Sequence, residues 1–199
     1  RTISHSLSTA PKMIICKRRD TGDTWWTYNE TVGAGGQLYL NGSAAAGSDG
    51  GVLWNTTAPT SSVFSLGTNT GVNGSGGTYV AYAFADVQGF SKVGSYTGNG
   101  STDGTFVYTG FKPAWVLVKV TSGSDNWTLA DNKRPGYNSS QDTLYPNLTN
   151  AEVTTTNWVD FYSNGFKLLR TDGAENGSGS TYIYAAFAEA PFVNSNGVP

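Results

Sequence analysis

The chain has 199 residues, of which 26 are glycine, 13% are aromatic and only 13% are charged, and its net charge is −2. Abundant aromatics and a charge near zero exclude a disordered chain, and the absence of clustered lysine and arginine argues against a dedicated nucleic-acid binder. The single cysteine, Cys16, rules out an intramolecular disulfide framework, and no apolar run approaches the roughly 20 residues of a membrane-spanning helix.

Ordinary domains are about a quarter charged. Here Ser, Thr, Asn and Gly must cover the surface instead, which suits an extracellular or virion particle. The chain opens on Arg1-Thr-Ile-Ser-His5, which reads as the middle of a strand, so a longer parent polypeptide is expected. After Pro11, Lys12-Met-Ile-Ile-Cys-Lys-Arg-Arg19 predicts a strong strand with a basic end. A turn at residues 20–23 leads to Thr24-Trp-Trp-Thr-Tyr28, whose Trp and Tyr favour a second strand. Residues 37–41, 52–54 and 62–66 predict three more, separated by Gly-rich and Pro-containing turns.

Asn73-Gly-Ser-Gly-Gly-Thr-Tyr-Val-Ala-Tyr-Ala-Phe-Ala85 then returns as Asn176-Gly-Ser-Gly-Ser-Thr-Tyr-Ile-Tyr-Ala-Ala-Phe-Ala188, and an acid, Asp86 or Glu189, closes each copy. Matching punctuation at so long a period indicates two copies of one folding unit. In the second copy residues 105–109 parallel 3–7, and 113–120 overlay 11–18, with Lys119 in the place of Lys17. Residues 126–130, 144–147, 158–162 and 165–169 continue the correspondence. No window shows helical spacing of apolar residues.

About seven short strands per copy predict an all-β chain of two tandem antiparallel β-sandwich, jelly-roll-like units in close packing; one larger concanavalin-like sandwich is the alternative. The expected division is 1–91 for an N-terminally incomplete first repeat, 92–192 for the second and 193–199 for a C-terminal tail. Both faces of the two signature strands are apolar, which predicts strands covered on both sides.

The phrases at 9–20, 94–101 and 109–116 (Thr-Gly-Phe-Lys-Pro-Ala-Trp-Val), with Ser-Asn-Gly-Phe-Lys-Leu at 163–168 and the run 182–192, resemble a repeat module of uncharacterised function. That module recurs in tail-fibre-like and other virion proteins of marine bacteriophages, and the resemblance covers nearly the whole chain. It implies a virion location and carries no catalytic or metal residues. The first copy lacks a counterpart of Ser95-Tyr-Thr-Gly-Asn-Gly100, which bears on the completeness of its sheet.

His5 is the only histidine and lies in a strand, away from any Gly-X-Ser-X-Gly turn, so it reads as structural. One His and one Cys make no zinc set, and no cofactor is expected. Cys16 reads as an inert buried thiol. Asp86 and Glu189 read as acids meeting solvent or a neighbouring lysine. Nine Asn-X-Ser/Thr sequons occur, as turn-rich composition makes them by accident.

The ligand candidates are aromatics beside donors. Trp25 and Trp26 cannot share a face, so one of them points away from the core. With Tyr28, Arg18 and Arg19, and with Trp127, Lys133, Arg134 and Tyr137 in the second copy, it supplies a stacking surface and hydrogen-bond donors. The expectation is a non-enzymatic virion module of the tail-fibre or adhesin type that binds a host-surface glycan or other receptor. The competing readings are a purely structural capsid or tail decoration and a polysaccharide-cleaving enzyme. Expected partners are other virion proteins or copies of the chain itself as a homo-oligomer, with neither nucleic acid nor membrane insertion.

Overall fold

The computed structural model describes residues 1–134, 138, 142–154 and 157–190. The chain is all-β, with several antiparallel sheets. It forms two compact units that divide between Ala85 and Asp86, ahead of the expected 91/92. Asp86 falls to the second unit, where its carboxylate accepts the Val93 N–H and pairs with Lys92.

Unit 1 holds β1 (Thr2–Ser4), β2 (Met13–Arg18), β3 (Trp25–Asn29), β4 (Gly36–Tyr39), β5 (Gly47–Ser48), β6 (Val63–Ser65) and β7 (Tyr79–Phe84), with one four-residue helix, α1 (Thr70–Asn73), that the sequence did not announce. Its sheets are the five-stranded β5-β4-β3-β2-β7 and the two-stranded β1-β6. Unit 2 holds β8 (Ser91–Thr97), β9 (Phe106–Tyr108), β10 (Trp115–Val120), β11 (Thr128–Asp131), β12 (Val159–Tyr162), β13 (Gly165–Leu168) and β14 (Thr181–Phe187). These strands build the four-stranded β11-β10-β14-β8 and the three-stranded β12-β13-β9.

In unit 2 the core draws Val116, Val118, Tyr182, Tyr184 and Ala186 from the larger sheet, and Val107, Phe161, Phe166 and Leu168 from the smaller. Alternate residues of each strand thus face the opposing sheet, the packing of a β-sandwich. The core of unit 1 is made the same way from Ile14, Cys16, Tyr28 and Phe64, with Leu53, Trp54, Leu66 and Val72 added from connections.

The two units show the same register at several positions. Cys16 lies opposite Ala81 as Val118 lies opposite Tyr184, and Ile3 opposite Phe64 as Val107 opposite Phe166. Lys17 and Lys119 each donate to the carbonyl of the next residue, Arg18 and Val120. The Gly-rich turns are held by the same clasp. Tyr79 donates its hydroxyl to Thr70 O and accepts from Gly74 N–H, while Tyr182 donates to Gly173 O and accepts from Gly177 N–H. Each turn starts at an Asx residue: Asn69 accepts from Gly71 N–H and Asp172 from Ala174 N–H.

Three expected strands come out differently. Residues 52–54 form turns rather than a strand, because Asp49 accepts from Gly51 and Leu53 N–H and the flanking Gly50, Gly51, Asn55 and Thr56 all take positive φ. Among the described residues Leu144 makes only an isolated bridge to Leu129, since Pro146 follows two residues on. The signature strands are also unequal. Residues 182–186 of β14 are buried on both faces, whereas Ala81 is exposed and Tyr82 is 48% exposed on β7, which among the described residues pairs with β2 alone.

Cys16 is buried in unit 1, and burial, with the nearby Asp23 charge second, pushes its thiol up to about 11. Folded protein at pH 8 should therefore leave a thiol reagent such as DTNB unreacted, with one equivalent titrating only on unfolding; rapid reaction of the folded chain would contradict this packing.

Candidate functional site

The nine candidate residues fall into both units, and the fold occupies most of them. Tyr28, expected at the surface, is buried in the core of unit 1 with its ring edge-to-face on Trp54. Trp127 is buried as well, its backbone N–H taken by Asn147. Both reverse the expectation for one reason: alternation assigns faces, and the face these residues occupy is covered. Trp26 packs against the unit 1 core edge-to-face with Tyr39. Trp25 takes the opposite face and stays half-buried.

The basic candidates are largely engaged. Arg18 forms a two-pronged pair with Asp20, at 2.9 and 3.1 Å, and holds that carboxyl down to about 2. Its guanidinium also lies over the Tyr79 ring at 5.9 Å. Lys133 pairs with Glu189, and Arg134 with Asp131 and Glu152. Arg19 is exposed. Tyr137 lies outside the described residues.

The residues that do make a platform are on the small sheet of unit 2. Along its outer face one cross-strand row reads Tyr108, Gly165, Tyr162 and the next reads Phe106, Lys167, Asp160. Tyr108 is 66%, Phe106 45% and Tyr162 44% exposed. The Phe106 and Tyr162 rings stand 6.1 Å apart at 76°. Gly165 allows this: a Cβ there would stand 2.2 Å from Val107 O and 2.8 Å from Phe106 Cζ, so any side chain would push against both the neighbouring strand and the ring.

Polar groups frame the aromatics. Lys167 reaches across to Asp103, which keeps the ammonium protonated and lowers the Asp103 carboxyl. Burial raises the carboxyl of Asp160, whose Oδ1 has no partner among the described residues. Beside Tyr108 the surface continues into an open cleft of about 410 Å³ lined by Asp86, Gln88, Lys92 and Thr109. A second cleft of about 400 Å³, sharing Gly89 and Gly110 with the first, carries Lys112, Asn132, Ser163 and Glu189. The acids that close the signature runs thus line clefts, each paired with a lysine.

A rigid aromatic face with donors and acceptors at its rim can stack flat C–H surfaces and bond hydroxyls around them. Unit 1 has no equivalent: the positions of Phe106 and Tyr108 are Thr2 and Ser4, and those of Gly165 and Lys167 are Val63 and Ser65. The signal was present in sequence as Phe106-Val-Tyr108 and as Tyr162 just before the Ser163-Asn164 turn, since both alternate with core residues. Among the described residues no group of three His, Cys, Asp or Glu side chains is placed to hold a metal ion. Among the described residues no helix is long and apolar enough to cross a membrane.

Residues 1–191 match the model of a domain of unknown function (DUF7483). No curated protein and no solved structure matches the chain.

Proposed function

Because the chain belongs to the DUF7483 family of domains of unknown function, its role has to be read from its own surface, and we propose that it is a non-catalytic binding module for surface glycans. The observation that carries this reading is the cluster of three exposed aromatic side chains on one sheet face around Gly165. Solvent-exposed aromatics held this close on strands are costly to leave bare, and patches of this kind mark interaction sites. Their placement on strands rather than loops keeps the stacking geometry fixed before a ligand arrives. The rim of Lys167, Asp103 and Asp160 suits polyhydroxylated ligands better than apolar ones. The resemblance to virion modules gives the setting: a fibre- or adhesin-type protein on a particle surface, engaging the envelope of a host cell.

Binding of the whole chain to a glycan array and to intact bacterial cells tests this. Tyr108→Ala and Tyr162→Ala should each weaken binding about 5–10-fold, from the loss of roughly 1 kcal/mol per stacking ring, and the double variant should abolish it. Tyr82→Ala and Arg19→Ala, at exposed positions of unit 1, should leave it unchanged. Binding that survives the double variant would sink the site. A chain that binds no glycan but assembles tightly with virion proteins through this face would replace the reading with a structural one, and release of reducing ends would replace it with hydrolysis.

A further inference from the structure

The two copies differ in one structural respect that the repeat makes readable. In unit 2 the signature strand β14 lies between β10 and β8; in unit 1 its counterpart β7 pairs, among the described residues, with β2 alone. The partner it would need is a strand of the β8 kind.

In unit 2 that strand delivers one ring to the core. Tyr96 stacks on Tyr182 at 4.9 Å and 10°, meets the edge of Phe166 at 6.3 Å, lies 6.5 Å from Tyr184, and donates its hydroxyl to Glu175 O at 2.7 Å. By register and turn position the unit 1 counterparts of these four residues are Tyr79, Phe64, Ala81 and Val72. All four line one cavity of about 290 Å³, together with Ile3, Cys16 and Leu66. Arg1 and Gly77 complete a wall that is otherwise apolar, and its arrangement is that of the Tyr96 seat.

The backbone beside the cavity matches. Residues of a strand bond alternately to the two sides. Arg19 N–H donates to Thr78 O, so even-numbered residues of β7 serve β2, and Tyr79, Ala81 and Ala83 turn their N–H and C=O groups to the other edge. Their counterparts Tyr182, Tyr184 and Ala186 are the residues that face β8, as Gly98 N–H to Ser180 O sets the same alternation.

We propose that the outer edge of β7 and the cavity behind it form a docking site for a tyrosine-bearing strand of the β8 type, supplied by a further repeat of the same kind. The strand adds antiparallel to β7 by main-chain bonds and seats its tyrosine among Phe64, Val72, Tyr79 and Ala81. A second copy of this chain is a poor donor. Its own β8 is registered over seven residues against β14, and withdrawing it would strip Tyr96 from the unit 2 core.

The test uses the whole chain and a synthetic peptide of residues 91–98. Saturable binding is expected, with slowed amide exchange at residues 79–84. The peptide carrying Tyr96→Ala should bind at least about tenfold more weakly, from loss of one buried aromatic side chain. Ala81→Pro in the protein removes an N–H from the outer edge only and should abolish binding, while an unchanged circular dichroism spectrum shows that the fold persists. Absence of binding, binding without protection of β7, or binding indifferent to either substitution overturns the proposal. So does a dimer of the chain alone in which β8 has left β14, because the occupant is then a second copy.

Discussion

Replacing Asn176 by alanine is expected to destabilise unit 2 by about 3 kcal/mol, because it removes several hydrogen bonds made by one fully buried side chain. Asn176 is fully buried, and its Nδ2 lies within hydrogen-bond reach of Asn99 Oδ1, Ser101 O and Arg170 O, at 3.0, 2.9 and 2.8 Å. Its Oδ1 accepts from Asn99 N–H at 3.0 Å. One side chain therefore joins the turn after β8 to the turn before β14. The matching Asn73 donates its side-chain amide to Gly67 O and is only half-buried, so Asn73→Ala should cost unit 1 about 1 kcal/mol. Urea unfolding with amide exchange on β7 and β14 separates the two units. Equal losses in both variants would contradict the unequal roles assigned to the pair.

A second large effect comes from Glu175, the counterpart of the apolar Val72. It is 2% exposed, and burial pushes its carboxyl up to about 7. The Arg170 charge and the Thr128 hydroxyl, which donates to Oε1 at 3.3 Å, oppose the shift, and Asp172 and Asp125 reinforce it; Oε2 has no partner among the described residues. The folded state thus holds this proton more tightly than the unfolded chain, whose value is near 4.5. Between those two values folding takes up a proton, so stability falls as pH rises and the penalty is complete above about 7. Its size is about 3 kcal/mol at ~1.4 kcal/mol per unit. Glu175→Gln should flatten the profile between pH 4.5 and 7 and raise the urea midpoint of unit 2 at pH 8. Parallel profiles for the two proteins would remove Glu175 as the cause.

Strand identity was legible wherever side chains alternate strongly. β2, β3, β7, β10 and β14 stand where the apolar runs predicted. Turn chemistry decided the failures: at 49–56 an aspartate cap and four positive-φ residues outweigh the apolar Val52-Leu-Trp54. The site was less legible, for a reason particular to sandwiches. Alternation sorts residues into two faces without saying which face meets solvent. Tryptophans attracted attention as the largest rings, and Trp127 is buried for the same reason of size. Phe106, Tyr108 and Tyr162 lie on short strands whose inward residues, Val107 and Phe161, carry the core signal. Only the hairpin register places the three rings together over Gly165. Similarly, the bases beside the tryptophans fit a binding surface by composition, and the fold pairs Arg18, Lys133 and Arg134 with local acids.

The pairing of β8 with β14 sets Ser91 opposite Phe187, and Ala188 N–H donates to Phe90 O at 2.8 Å. The first and last strands of unit 2 therefore leave its sheet at one corner, and the chain enters and exits the unit at adjacent points. A unit with that geometry can be spliced into a surface loop of an unrelated host, or permuted by joining its ends and opening a distant turn, without disturbing its sheets. That portability is a physical property of a unit whose core does not depend on where its two ends are joined.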